Sequence, residues 1–238
     1  MKGLLVTGTD TGVGKTVVSA GLVAWARRRG PVAPWKPVES GTAEHGGRPA
    51  DAALLARCAG LELEHVCLVA LSEPLAPVVA ARRAGVELSV AALDAGAAAL
   101  SARGLPIVEG VGGALVEVSE GLMVADLPAR WGLRAVVVAG NRLGVLSHTL
   151  LTVEALLARG ADVAGVVLNT LHAGPPSVAE QNNAAELRRT LPAGVPLLGT
   201  VPFVAEPEPE ALARAVEGVA LRLFGGRMDV GQGAQGKR

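Results

Sequence analysis

The sequence predicts a single α/β domain in which one parallel β-sheet carries helices on both faces. Short apolar runs alternate with longer helical patterns along the chain, and this alternation is typical of parallel βαβ units. Several of the runs are apolar at every position, as expected of strands that helices cover on both sides. The chain has 238 residues, which is enough to bury the core of one large domain but short for two. We therefore expect one domain over residues 1–224.

The elements follow one another in strand-helix order. The predicted strands are Gly3–Val6, Pro31–Trp35, Leu105–Val108, Arg134–Ala139, Val163–Leu168 and Pro196–Val201. The predicted helices are Thr16–Arg28, a run that follows Asp51, a run that ends with Ala97–Leu100, Val145–Ala158 and Pro209–Leu223. Residues 225–238 contain too few apolar side chains to pack against a core, so we expect them to form a disordered tail.

The composition of the chain excludes some classes of partner. It carries 22 basic and 22 acidic residues, so its net charge gives no sign of a surface that binds nucleic acid. The longest uncharged stretch, Val163–Ala179, contains Asn169 and two prolines and cannot form a membrane-spanning helix. No basic and apolar leader pattern opens the sequence. We expect a soluble cytoplasmic protein whose partners are small molecules or protein, with no nucleic acid and no membrane.

Three residue types are informative because they are scarce. Only four of the basic residues are lysine, so a lysine inside the fold requires a specific reason, such as an anionic group that it contacts. The two cysteines, Cys58 and Cys67, lack any redox or metal-ligand spacing, and we expect them to be reduced core residues. The histidines show no ligand-pair or triad spacing, so we expect structural or surface roles for His45, His65, His148 and His172.

The most specific motif runs from Gly8 to Thr16 and reads GTDTGVGKT. It follows the first strand and opens the first helix, so backbone N–H groups and a helix N-terminus point at an anion. We expect Lys15 to reach the β- and γ-phosphates of a nucleotide and the Thr16 hydroxyl to ligate Mg²⁺. Five residues separate Gly8 from Gly14, whereas the usual motif has four. The motif indicates an ATP-using enzyme of the P-loop class; the alternative is a chance glycine turn that caps a helix.

Polar residues follow four further apolar runs. In an open parallel sheet, ligands bind outside the carboxyl ends of the strands, so these segments are expected to meet the glycine-rich loop at one edge. The segments are Lys36–Ser40, Glu109–Gly113, Asn169–Thr170 and Pro202–Val204.

Four side chains in or near these segments are candidates for chemistry. Lys36 lies beside the expected position of the γ-phosphate; the alternative is a solvated strand-end charge, with Ser40 as a turn former. Asp51 precedes an apolar helical run, so it is either an N-cap or a carboxylate for Mg²⁺. Glu109 ends a buried run, where P-loop enzymes carry a carboxylate for Mg²⁺, although it could be a plain strand-end charge. The Asn169 amide has the donor and acceptor that adenine requires.

Taken together, these segments resemble the dethiobiotin synthetase family from Lys2 to about Phe224. In this family the phosphate loop carries the same five-residue spacing. The stretches that carry the resemblance are GTDTGVGKT (8–16), KPVESG (36–41), Asp51 with its helix, EPLAPVVAARRAG (73–85), VEGVGG (108–113), LGVLSHTLLT (143–152), VVLN (166–169) and VPFVAE (201–206).

The resemblance implies an ATP-dependent ring closure. The enzyme would take ATP, CO₂ and 7,8-diaminononanoate, form a carbamate, phosphorylate it and close the ureido ring of dethiobiotin, releasing ADP and phosphate. No protein nucleophile is needed. The resemblance implies Mg²⁺ as cofactor, held by Thr16, Asp51 and Glu109, and catalytic roles for Lys15, Lys36 and Thr11. The implied nucleotide contacts are Gly12, Val13, Gly14, Lys15, Thr16, Val17, Asp51, Glu109, Gly110, Gly112, Asn169, Thr170, Pro202, Phe203 and Val204.

The resemblance also implies a homodimer with a shared active site. Ser40 would contact the substrate or its carbamate in the same subunit. The substrate carboxylate would be bound by the other subunit through the start of a helix, at Gly144, Val145, Leu146 and Ser147. A helix N-terminus is suited to a carboxylate. Ser147 stands where family members often carry asparagine.

Two other functions are compatible with a P-loop. ParA/MinD-like switch ATPases place a second lysine early in the loop, whereas this loop reads Thr9-Asp10-Thr11, and neither a DNA-binding face nor a C-terminal amphipathic membrane helix is visible. A cobyrinate-type amidotransferase would require a glutaminase domain and a nucleophilic cysteine, and the chain offers neither. The sequence therefore favours the dethiobiotin synthetase function.

Overall fold

The computed structural model describes residues 2–225, and within them the predicted α/β fold is confirmed. The main sheet has the strand order β3-β2-β4-β1-β7-β8-β9, and all its pairings are parallel. A short antiparallel hairpin, β5-β6, lies apart from it. The strands are β1 Leu4–Gly8, β2 Val32–Ser40, β3 Cys67–Leu71, β4 Leu105–Glu109, β5 Glu117–Ser119, β6 Leu122–Met123, β7 Arg134–Gly140, β8 Asp162–Asn169 and β9 Leu197–Val201.

Helices cover both faces of this sheet. They are α1 Lys15–Arg27, α2 Ala50–Ala59, α3 Pro77–Ala84, α4 Val90–Arg103, α5 Leu127–Trp131, α6 Val145–Ala158, α7 Val178–Thr190, α8 Pro209–Ala215 and α9 Glu217–Phe224. The sequence predicts one helix over Pro209–Leu223, and this prediction is wrong because the helix is interrupted at Val216, where ψ is 2°. Among residues 2–225, no helix is long and apolar enough to cross a membrane.

The central strand β1 shows how the core is divided. Leu4 and Val6 pack into the cluster formed with α1, α2, α8 and α9, whereas Leu5 packs into the cluster formed with α3, α4 and α5. All three side chains are at most 1% exposed. Successive strand residues point to opposite faces, so a strand that is covered on both sides must be apolar throughout. This confirms the interpretation of the uninterrupted apolar runs.

Strand β2 is longer than the sequence predicts. The expected strand ends at Trp35, but β2 continues to Ser40 because its second half pairs with the edge strand β3, from Lys36 opposite Cys67 to Ser40 opposite Leu71. Lys36 therefore lies within a strand rather than in the segment after it. The predicted disordered tail, 225–238, lies outside the described residues except for Gly225.

Candidate active site

The glycine-rich loop at the end of β1 has the backbone conformation that a phosphate requires. Gly12 and Gly14 have φ angles of 74° and 88°, in the left-handed region that side chains disfavour. Gly14 is the N-cap of α1 and makes no side-chain capping bond, so the first-turn N–H groups of α1 can bind an anion. A Cβ on Gly14 would also collide with the Asn169 amide. The loop therefore brings the start of α1 against the end of β8.

Lys15 is folded back on this loop. Its side chain is buried, and Nζ donates to the carbonyl oxygen of Asp10 at 2.8 Å. The Asp10 carboxylate accepts from the backbone N of Thr11 at 2.7 Å and from Arg142 Nη2 at 3.0 Å. Burial, followed by the nearby charge of Lys36, lowers the pKa of Lys15 to about 8. An anion that binds in the loop would favour the charged form of this side chain and raise its pKa.

Lys36 is a buried cation held between two carboxylates. Its Nζ donates to Glu109 Oε1 at 2.6 Å, to Asp51 Oδ2 at 3.0 Å and to the carbonyl oxygen of Gly110 at 3.1 Å. The residue is 2% exposed. Burial opposes its charge, but the Glu109 and Asp51 carboxylates outweigh that effect and raise the pKa of Lys36 above its ordinary value. The alternative of a solvated strand-end charge is therefore wrong.

Glu109 is the shared acceptor of this cluster. It is fully buried, and Oε1 also accepts from Thr16 Oγ1 at 3.0 Å. The Ser19 hydroxyl donates to Oε2 and fixes the other side of the carboxylate. Ser19 was not predicted as a site residue. A polar residue three positions after Thr16, on the sheet-facing side of the helix, is a pattern that could have identified it.

The oxygen atoms of this cluster fit a magnesium ion. Mg²⁺ takes oxygen ligands and is usually held by one or two carboxylates together with substrate phosphates. Thr16 and Glu109 supply a hydroxyl and a carboxylate oxygen 3.0 Å apart, and Asp51 reaches the same ammonium as Glu109. Within residues 2–225, no group of three or more histidine, cysteine, aspartate or glutamate side chains could hold a metal ion by itself. Phosphate oxygens would have to complete the coordination.

Asp51 is not the cap of its helix. The N-cap of α2 is Pro49, and the capping acceptor is Glu39 of β2, whose carboxylate accepts from the backbone N of Asp51 at 3.0 Å and of Ala52 at 2.9 Å. The Asp51 side chain is thus directed to Lys36, and the interpretation of Asp51 as an N-cap is wrong. Glu39 was not predicted as a site residue, although an acidic residue within a buried strand is a sequence pattern that could have identified it. Burial raises the pKa of the Glu39 carboxyl.

A cleft of about 700 Å³ opens over these residues. The lining includes nine residues that the sequence predicts: Thr11, Gly12, Gly14, Lys15, Thr16, Lys36, Ser40, Asp51 and Gly112. It also includes an apolar group that was not among the predicted site residues: Pro74, Leu75, Ala76, Pro77, Val111 and Val116. Glu39, Gly41, Glu44 and His45 complete the lining. His45 is exposed, in agreement with its predicted surface role.

Asn169 lies beside the phosphate loop, at the end of β8. It is 3% exposed, and its Nδ2 donates to the carbonyl oxygen of Val13 at 3.1 Å. Its Oδ1 is buried and has no hydrogen-bond partner among the described residues. Thr170 is joined to the end of β9 through Val201, after which Pro202 and Phe203 are exposed. An unpartnered buried acceptor fits a donor from outside the chain, such as an exocyclic amine.

The start of α6 is not part of the cleft of its own subunit. Gly144, Val145, Leu146 and Ser147 are absent from the cleft lining, and Gly144 has a φ of 89° at the N-cap of α6. Three exposed leucines lie near this helix start and the phosphate loop: Leu115, Leu143 and Leu151, which are 57%, 86% and 61% exposed. Whatever the helix start binds must approach from outside the cleft.

The cysteines have no place in the site. Cys58 is buried and Cys67 is half-buried, and neither forms a disulfide. Burial raises the pKa of each thiol to about 11, so both are protonated near neutral pH and are poor nucleophiles. This agrees with their predicted structural role.

A parallel sheet with a glycine-rich loop between β1 and α1, and with Lys15-Thr16 at the helix start, defines the P-loop NTPase class of fold. Solved structures agree. The cell division ATPase MinD of Pyrococcus furiosus has a TM-score of 0.54 and 18% identity, covering 94% of this chain and 98% of that one. A ParA family ATPase from Chlorobium tepidum TLS has a TM-score of 0.51 and 12% identity, covering 96% and 95%. At these identities the likeness shows the fold alone.

Sequence relatives identify the family. A family model described as an AAA domain matches residues 2–211. The chain is 48% identical to the ATP-dependent dethiobiotin synthetase BioD of Anaeromyxobacter sp. (strain Fw109-5), over 79% of this chain and 85% of that protein. It is 43% identical to the BioD protein of Pseudomonas paraeruginosa, over 90% and 95%. The chain therefore belongs to the dethiobiotin synthetase family, and the predicted resemblance is confirmed.

Proposed function

We propose that the chain is an ATP-dependent ligase that closes the ureido ring of dethiobiotin from 7,8-diaminononanoate and CO₂, releasing ADP and phosphate. The main support is the position of Lys36, a buried ammonium held by Glu109 and Asp51 within a cleft that also contains the phosphate loop. The cleft is lined by the glycine-rich loop and by apolar residues, as a substrate with two amines on an aliphatic chain requires. The names of the relatives support the same reaction.

The nucleotide phosphates are proposed to bind at the loop Gly12–Thr16, with Val17 in the following turn. The N–H groups at the start of α1 would donate to them, and the Lys15 ammonium would leave the Asp10 carbonyl to pair with the β- and γ-phosphates. Thr11 is exposed at the cleft and would contact the transferred phosphoryl group. The N–H groups of the helix start are fixed by the fold before the reaction, so they stabilise the developing charge without reorganisation.

The chemistry proceeds in three steps, none of which needs a protein nucleophile. One substrate amine forms a C–N bond to CO₂ and loses a proton, which gives a carbamate anion. A carbamate oxygen then attacks the γ-phosphorus, and ADP leaves. The second amine attacks the carbonyl carbon of this mixed anhydride, phosphate leaves, and the ring closes. Lys36, whose three donors are directed to Glu109, Asp51 and the Gly110 carbonyl, would exchange one of these acceptors for a carbamate oxygen. Ser40 would contact the substrate beside it.

The cluster around Glu109 is proposed to hold Mg²⁺. Thr16, Asp51 and Glu109 are the residues that would bind the ion, which when present neutralises charge on the phosphate oxygens. Lys36 already donates to the carboxylates of Asp51 and Glu109. Its ammonium would therefore hold both carboxylates in position before the nucleotide arrives.

The adenine base is proposed to bind at the ends of β8 and β9. The unpartnered Oδ1 of Asn169 would accept from the exocyclic amine, and Thr170, Pro202, Phe203 and Val204 would surround the ring. Gly110 and Gly112, which follow β4, would contribute to the phosphate end of the same site.

The complete site is proposed to require a homodimer. The start of α6, Gly144–Ser147, would bind the substrate carboxylate of the other subunit with its N–H groups. Two observations support this: these residues do not line their own cleft, and the exposed leucines Leu115, Leu143 and Leu151 lie beside them. Ser147 would contribute a hydroxyl to this contact. We further propose that the protein works in the cytoplasm.

The test is product formation from defined substrates. The protein is incubated with ATP, magnesium, bicarbonate and 7,8-diaminononanoate, and dethiobiotin and ADP are measured by mass spectrometry. We expect equal amounts of both products and no ADP above background when the diamine is omitted. ATP turnover that ignores the diamine would contradict the proposal and favour a switch ATPase of the kind that shares this fold.

A further inference from the structure

A buried amide pair holds the turn Asn141–Gly144, which joins β7 to α6. The side chains of Asn141 and Asn183 belong to residues that are 7% and 6% exposed. Asn183 Nδ2 donates to Asn141 Oδ1 at 2.8 Å and to the carbonyl oxygen of Arg142 at 3.1 Å. Both donors of the Asn183 amide are therefore directed to this turn, although Asn183 belongs to α7.

Asn141 joins the same turn to two further elements. Its Nδ2 donates to the carbonyl oxygen of Glu180 in α7 at 3.2 Å, and its backbone N donates to the carbonyl oxygen of Asn169 at 2.7 Å. The Arg142 side chain extends from the turn to the Asp10 carboxylate in the phosphate loop. The turn is thus attached to α7, to the end of β8 and to the phosphate loop.

We propose that Asn183 is a positioning residue for the substrate carboxylate. This inference rests on the proposed function, in which the start of α6 binds that carboxylate for the other subunit. The directions of the helix-start N–H groups depend on the backbone that enters the helix, and that backbone is the turn that Asn183 fixes. Asn183 does not line the cleft, so it acts through the turn and not by touching the substrate.

The chain supplies a matched control in the neighbouring residue. Asn182 is exposed, and its Nδ2 donates to the carbonyl oxygen of Val178 within its own helix. Asn183→Ala removes both donors to the turn. Asn183→Asp keeps the size of the side chain but replaces its N–H donors with oxygen opposite Asn141 Oδ1 and the Arg142 carbonyl. Asn182→Ala changes the same residue type one position away without touching the turn.

The first measurement is steady-state kinetics with each substrate varied in turn. We expect Asn183→Ala to raise the KM for 7,8-diaminononanoate about tenfold, since two buried hydrogen bonds are lost, while the KM for ATP changes less than about twofold. Asn183→Asp should raise the KM for the diamine at least as much, because it removes the N–H donors although the side chain keeps its size. A KM for the diamine equal to that of Asn182→Ala would overturn the proposal.

The second measurement is independent of the reaction. Hydrogen–deuterium exchange is followed in peptides that cover residues 141–148, where Val145 N donates to Arg142 O and His148 N donates to Gly144 O. We expect at least about tenfold faster exchange there in both Asn183 variants, with unchanged exchange in β1 and β4 as the check on folding. If exchange in this segment is unchanged, the positioning role fails even if dethiobiotin is made. If exchange accelerates but wild-type protein makes no dethiobiotin, the turn-holding role stands and the proposed function fails.

Discussion

The side chain of Lys36 illustrates how one buried charge organises a site. Its three donors have three acceptors: Glu109 and the Gly110 carbonyl at the end of β4, and Asp51 in α2. An unpaired ammonium at this depth would be strongly unfavourable, so Lys36 depends on these acceptors. Removing Lys36 would in turn leave the fully buried Glu109 carboxylate without its paired cation, whereas the Asp51 side chain is 41% exposed.

We predict that Lys36→Arg lowers the rate of dethiobiotin formation by roughly 10²-fold. The guanidinium keeps the positive charge but is larger and planar, so it cannot meet three acceptors arranged around one nitrogen atom and would displace the carboxylates. The rate is measured under saturating substrates, with Lys2→Arg as the matched control, because Lys2 is exposed. A rate within about twofold of the control would remove Lys36 from the mechanism.

We predict that ATP binding is accompanied by proton uptake near the pKa of Lys15. That pKa is about 8 without nucleotide, so the ammonium is charged below this pH and becomes neutral as the pH rises through it. Bound phosphates favour the charged form, so binding at about pH 8.5 should take up a proton, whereas binding at about pH 6.5 should not. ATP affinity should accordingly fall above about pH 8.

Calorimetry decides this prediction. ATP is titrated into the protein in two buffers of equal pH that differ in ionisation enthalpy, so any proton taken up appears as a difference between the two observed enthalpies. Equal enthalpies at the higher pH would show that Lys15 is already charged in the free protein.

At the scale of elements, the N-terminus of helix α2 is capped by a side chain of strand β2 and not by the residue that precedes the helix. Pro49 offers no side-chain cap, and Glu39 of β2 supplies both oxygens to the first-turn N–H groups. A carboxylate at this position also interacts favourably with the helix dipole. Because Asp51 lies in that first turn and pairs with Lys36, the start of α2 and the geometry of the site are fixed by the same side chain.

We predict that Glu39→Ala destabilises the protein by about 1–2 kcal/mol, which is the usual cost of losing a helix cap, and also lowers the rate. The matched control is Glu44→Ala, since Glu44 lines the same cleft, is exposed, and makes no side-chain hydrogen bond that the structure describes. Stability is measured by urea unfolding and activity by dethiobiotin formation. If both variants unfold at the same urea concentration, Glu39 is not the cap.

Strands were predicted correctly where burial on both faces makes their sequence apolar. They were missed or shortened where the strand depends on pairing with another segment. The strands β1, β4, β7 and β8 have apolar interiors because helices cover both their faces, and the sequence shows this directly. Their polar residues lie at or next to the strand ends, as Glu109 and Asn169 do. Strand β3 was missed because it is a short edge strand with partly exposed residues. The extension of β2 was missed for the same reason, since it depends on pairing with β3.

Site residues were predicted where they belong to a continuous motif and were missed where folding brings distant residues together. Lys15, Thr16 and Glu109 are recognisable because the residues that mark them are adjacent to them in the sequence. The Glu39 cap joins residues that are 12 and 13 positions apart, and the bond from Asn183 to Asn141 spans 42 positions. No periodicity or spacing rule encodes such contacts, because they exist only after the strands and helices have docked.

At the scale of the whole molecule, the exposed leucines beside the site form an apolar surface that suits the proposed homodimer. Leu143 directly precedes Gly144, the N-cap of α6, and Leu115 and Leu151 line one pocket together with Thr9–Thr11 of the phosphate loop. Three exposed leucines grouped at a functional edge are more than the scattered apolar residues of an ordinary surface. The proposed homodimer would bury them.

We predict that Leu143→Asp and Leu151→Asp each weaken the proposed dimer and reduce dethiobiotin formation at least about tenfold, because a buried charge opposes association and the proposed site is shared between two subunits. Sedimentation velocity gives the oligomeric state at several concentrations. The matched control is Leu221→Asp, an exposed leucine on α9, which packs on the opposite face of the sheet. A monomeric variant with full activity would contradict the shared site, and a dimer that survives both substitutions would place the interface elsewhere.

The central position of β1 has a consequence for synthesis on the ribosome. Strand β1 is made first among the described strands, yet it pairs with β4 and β7, which end at Glu109 and Gly140. A nascent chain must therefore carry Leu4–Gly8 as an unpaired apolar segment until well over 100 residues have emerged. ATP cannot assist the early stages of folding, because the loop that would bind it follows β1, whose neighbouring strands are not yet made. Newly made chains of this protein should depend on chaperones during that interval more than a protein whose first strands pair with each other.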